Sequence, residues 1–118
     1  MVQYRITDSA LADITDILRH SQVQFGTTAR LRYQELIRTA IEDLATVPNR
    51  IGSSLRDEIT PGLRSFHLCH SRKRAATSND MVQRPRHVMF YRLADDQVIE
   101  VVRLLHDAME ARLHLPEV

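Results

Sequence analysis

The sequence predicts an α+β fold: a helical hairpin packed on one face of a small, mostly antiparallel sheet, in the order β-α-α-β-β-β. Three patterns predict it. The runs Val88-Met89-Phe90-Tyr91 and Val98-Ile99, Val101-Val102, Leu104-Leu105 concentrate β-branched and aromatic residues in two segments of strand length. Such residues are stiff at χ1 in a helix and fit a pleated surface, so the runs read as strands. The polar Ala94-Asp95-Asp96-Gln97 between them is the turn of an antiparallel hairpin. Ahead of this hairpin lie two stretches with apolar residues three and four apart, the spacing of helices with one covered face.

Taken in order, Val2, Tyr4 and Ile6 alternate with Gln3 and Arg5, as in a strand with one covered face. Thr7 and Asp8 are suitable caps for a first helix, whose stripe is Ala10, Leu11, Ile14, Ile17 and Leu18. Phe25-Gly26 ends it, and Thr27 or Thr28 is expected to cap a second helix. The stripe of that helix is Tyr33, Leu36, Ile37, Ala40, Ile41 and Leu44, and Pro48 stops it. Asn49 to Thr60 lacks periodicity and reads as a loop, Pro61-Gly62 as a turn, and Leu63 to Leu68 as a strand. Cys69 to Pro85, polar and basic, is expected to be a long loop where a hairpin normally takes two to five residues. After the strands, Met109 and Leu113 suggest a last helical turn over the sheet edge before Pro116.

At 118 residues the chain is expected to form one domain. The net charge of +1 conceals an asymmetry. Between Arg64 and Arg92 stand Arg64, Arg72, Lys73, Arg74, Arg84, Arg86 and Arg92 against one acid, Asp80, and Lys73 is the only lysine. Guanidinium forks suit carboxylates and phosphates, so the segment implies an acidic partner or nucleic acid. A single cysteine, Cys69, makes no internal disulfide. With no signal peptide or spanning run, a cytoplasmic protein without membrane contact is expected.

Three stretches together point to a family: Glu58 to Phe66 (EITPGLRSF), Arg86 to Arg92 (RHVMFYR) and Val98 to His106 (VIEVVRLLH). In this order, behind an amphipathic helix pair, they resemble the ParE toxins of the RelE/ParE superfamily over nearly the whole chain. The resemblance implies a toxin of a type II toxin–antitoxin system. It would be neutralised by a ParD-like antitoxin in a hetero-oligomer, and would inhibit DNA gyrase by protein–protein contact. The departure is the 69–85 stretch, since similar proteins cross between these strands in a few residues. A partner-binding face is expected on Arg64, Arg86, His87, Arg92, Arg103 and His106, with antitoxin acids toward the arginines and its apolar anchors beside the helix hairpin.

No catalytic residue, metal or cofactor is expected. RNA cleavage, the chemistry of the sister branch, needs a base, a cation at the phosphate and an acid for the leaving oxygen. Arg64, Arg86, Arg92, Arg103 and His106 could be pressed into those roles, but the tail after His106 has no tyrosine. His67 and His70, three apart on a strand, would face opposite ways and make no zinc site. Sequence-specific nucleic-acid binding is not expected either, as 69–85 has no aromatic residue to stack a base.

Overall fold

The computed structural model describes residues 3–77 and 80–115. Strand β1 (Tyr4–Ile6) leads into helices α1 (Asp8–Phe25) and α2 (Thr27–Thr46). Strands β2 (Ser53–Leu55) and β3 (Arg64–His67) follow, then a 3₁₀ turn (Leu68–Ser71) and the one-turn helix α3 (Arg72–Ala75). The long hairpin β4 (His87–Leu93) and β5 (Ile99–His106) completes the sheet, and a 3₁₀ turn (Ala111–Leu113) ends the described tail. The sheet order is β1-β5-β4-β3-β2, with β1 parallel to β5 and the other pairs antiparallel.

The helical hairpin covers one face. Leu36, Ile37, Ala40, Ile41 and Leu44 of α2 are buried as their spacing predicts, against Phe66, Met89, Tyr91, Ile99, Val101 and Leu104 of the sheet. The side chain of Thr7 caps α1 by accepting the Ala10 N–H at 3.1 Å, and donates to the Val102 carbonyl at 3.0 Å. The N-cap of α2 is Gly26, not either threonine: Gly26, at φ 92°, closes α1 and opens α2 at once. The Thr27 hydroxyl instead accepts from Gln22 Nε2. On β5 the edge beyond Val101 outruns the three-residue β1, and Asp13 of α1 takes its place. Asp13 accepts the Leu104 N–H at 3.0 Å and both ends of the Arg103 guanidinium at 2.7 and 3.0 Å.

Four expectations are corrected. The stretch read as loop between 49 and 60 contains β2, an exposed edge strand that needs no apolar alternation. Leu68 turns out of β3 into the 3₁₀ turn while staying in the core with Phe66. The first part of 69–85 is helical and fastened rather than looped. Ser71 Oγ donates to the buried Asp43 carboxylate at 2.6 Å, and Arg74 Nε to the same group at 2.5 Å. Arg72 donates to the Gln83 carbonyl, Arg32 pairs with Asp80, and Ala75 and Val82 pack on the core. In the tail, Met109 and Leu113 are exposed. Ala111 and Leu115 pack instead on Leu63, Phe90 and Leu105, over the second face of the sheet rather than its edge. The expected strand residue Val2 lies outside the described residues.

Candidate partner-binding cleft at the open end of the hairpin

The first residue of β4 and the last of β5 face each other: His87 pairs with His106 in the antiparallel register. Their rings meet edge-on with centroids 5.4 Å apart, and Tyr33 of α2 stands edge-on to His87 at 5.5 Å. Tyr33 and His87 are 54 positions apart, joined by a 2.6 Å hydrogen bond between Oη and Nδ1. Burial pushes the imidazole of His87 down to about 4 and the Tyr33 phenol up to about 12, so at neutral pH both are uncharged. Beside them Arg86 holds Asp107 through Nε at 3.2 Å and Nη2 at 3.0 Å, and His67 Nε2 is 3.0 Å from the same carboxylate. These contacts, His67 first, hold the Asp107 carboxyl below the usual carboxylate range.

Tyr33, Arg86, His87 and His106 form the sheet end of a cleft of about 680 Å³ between α1, α2 and residues 81–86. Its walls are Ile17, Phe25, Ala29, Met81 and Val82, and its rim carries Arg32, Arg84 and Arg86. No carboxylate lines it among the described residues. Phe25 is 73% exposed, a large apolar surface left in water at the tip of the helical hairpin.

The six residues expected on a partner-binding face do not share one surface. Arg86, His87 and His106 line this cleft. Arg92 and Arg103 line a smaller one of about 290 Å³, with Glu100, Val102, Leu63 and Leu115. Arg92 is paired there with Glu100 at 2.9 Å, and Arg103 with Asp13 and the His114 carbonyl. Arg64 stands apart, donating to Ser53 Oγ, which shares the Tyr91 hydroxyl with the Pro48 carbonyl. Sequence reasoning kept Tyr33 as core and passed over Phe25, Arg32 and Arg84 as site residues. The signal in the sequence was Phe25, an aromatic that continues the α1 stripe seven residues past Leu18, next to a helix-ending glycine.

Neutral at working pH, His87 is no general acid, although a neutral imidazole is the form a general base takes. The guanidinium of Arg86 is already turned to Asp107. The cleft as a whole is an apolar trough with a cationic rim and hydrogen-bond donors at one end. No helix among the described residues is long and apolar enough to cross a membrane.

A helical hairpin on a mixed five-stranded sheet, with an apolar, arginine-rimmed trough at the open end of the β4–β5 hairpin, makes this a small α+β protein. The comparisons with known proteins give the family. Residues 4–111 match the model of the ParE toxin of type II toxin–antitoxin systems. The chain is similar to toxin ParE1 of Caulobacter vibrioides, 31% identical over 115 residues, with 98% of this chain and 99% of that protein covered. Its fold is similar to that of a chain from the chromosomal ParDE toxin–antitoxin system of P. aeruginosa. The TM-score is 0.64 and the identity 21%, covering 90% of this chain and 96% of the other. The protein belongs to the ParE toxin family.

Proposed function

We propose that this chain acts in the cytoplasm as a single toxin domain, neutralised by a ParD-like antitoxin, and that it inhibits DNA gyrase by protein–protein contact without catalysis. The observation that carries the antitoxin part is the cleft itself. Ile17, Phe25, Ala29, Met81 and Val82 offer an apolar floor, and Arg32, Arg84 and Arg86 a rim free of lining carboxylates. That complements an amphipathic segment with acids along one side. Arg64, Arg92 and Arg103 are proposed as outlying contacts, weaker because they lie off this cleft and its apolar floor. Gyrase as target follows from family membership and resemblance.

The test is induction of the chain without antitoxin, following DNA integrity and translation in parallel. Accumulating gyrase–DNA cleavage complexes and an SOS response are the expected result. Translation arrest with mRNA cut at the ribosomal A site would overturn it in favour of the ribonuclease reading, in which neutral His87 would serve as a base rather than an acid. For the antitoxin, Phe25→Asp and Arg84→Glu should each lower affinity at least tenfold by calorimetry, both sites being exposed and cheap to the fold.

A further inference from the structure

The sheet end of the cleft is built from groups whose hydrogens are fixed by their neighbours. Tyr33 Oη accepts the Arg86 N–H at 3.2 Å. With that lone pair engaged, the phenol proton goes to His87 Nδ1, which sets His87 as the Nε2–H tautomer. His106 Nδ1 accepts the Ala108 N–H at 3.0 Å, so its neutral ring also carries its proton on Nε2. Neither Nε2 has a partner among the described residues, and neither is sealed from solvent. Arg86 spends Nε and Nη2 on Asp107 and keeps Nη1. Arg84 has no carboxylate within 4 Å among the described residues.

We propose that Arg84, Arg86, His87 and His106 form an oxyanion seat that takes one side-chain carboxylate from an acidic, apolar-flanked segment of a partner protein. It deepens the antitoxin reading and rests on it for the identity of the partner. The charge chooses the carboxylate over a nucleic-acid phosphate: Asp80 offsets Arg32 and Asp107 offsets Arg86, leaving Arg84 and the imidazole donors, a match for one monoanion rather than for a polyanionic backbone.

The experiment uses the full chain labelled with ¹⁵N, following long-range imidazole correlations. The free protein should show His87 and His106 as Nε2–H tautomers, and a His87 Nδ1–H signal would overturn the proposal before any ligand is added. Acetate should then shift both resonances saturably, and neutral acetamide should not. Equal shifts with acetamide, or none with acetate, would sink the seat. Tighter binding of inorganic phosphate than of acetate would replace the carboxylate with a phosphate ligand. His106→Gln, which keeps a donor near Nε2, should retain acetate binding, and His106→Asn should lose at least fivefold. Antitoxin that binds the wild type tightly and His106→Asn equally well would reject the seat and leave the antitoxin reading intact. Acetate binding in a chain that binds no antitoxin would do the reverse.

Discussion

The two ends of the β4–β5 hairpin carry similar inventories of polar residues and use them oppositely. At the turn end Arg5 holds Asp96, Arg92 holds Glu100, and Arg5 also reaches Glu100 at 3.8 Å. Among the described residues both arginines there are spent on Asp96 and Glu100, so no guanidinium is left to offer a partner. At the open end Tyr33, Arg86, His87 and His106 satisfy one another in part, and the unspent hydrogens line a trough. The lesson is that a count of arginines locates no site. What matters is which donors remain after the chain has paired its own charges, and how much apolar surface adjoins them.

The largest expected difference between the ends is in pH dependence. The folded-state pKa of His87, about 4, lies below its ordinary 6.5, so the unfolded chain binds more protons between those values. Stability from this group is therefore full above about pH 6.5 and lost as pH falls through 4, by about 2 kcal/mol allowing for the ring's partial exposure. Urea unfolding of the wild type and of His87→Gln across pH 4–7 checks it, since the slope should be missing from the variant. If both lose stability in parallel, the open end is not the acid-sensitive one.

Smaller effects sharpen the contrast. Tyr33→Phe leaves His87 Nδ1 and the Arg86 N–H without their partner, and should cost about 1–2 kcal/mol in the same assay. At the turn end Gln97 sits at φ 68°, a left-handed conformation that glycine adopts more readily. Gln97→Gly should raise the denaturation midpoint by an amount equal to about 0.5–1 kcal/mol. Smallest of all, Arg92→Ala removes an exposed pair and should cost no more than about 0.5 kcal/mol, with antitoxin affinity changed less than threefold. A large loss there would erase the distinction between the two ends.

The helices and the hairpin were legible because their apolar residues are patterned: the α2 stripe from Leu36 to Leu44 is buried, and the apolar run of β4 is covered on both faces, Met89 and Tyr91 in one cluster and Val88 and Phe90 in the other. β2 was not, because Ser53-Ser54-Leu55 is an edge strand whose pairing with β3 asks nothing of its side chains. The helical turn at Arg72–Ala75 was hidden for another reason. Its anchor is Asp43, on a different helix, and a four-residue turn has no period of its own. Half of the expected site, Arg86, His87 and His106, was brought together by strand register alone. Tyr33 completes it across 54 positions, a tertiary contact with no local signal.

The parallel pairing of β1 with β5 has a consequence in time. Tyr4 meets Ile99, so β1 finds its neighbour only after every element between it and β5 has been made. Until then α1 and α2 have no complete sheet to cover their stripe, and Asp13 has neither Arg103 nor the Leu104 amide to hold. Such distant closure is slow relative to helix formation. A nascent chain halted before Ile99 should thus display an unshielded helical hairpin and no finished cleft, so that recognition at the cleft begins only once β5 has been made.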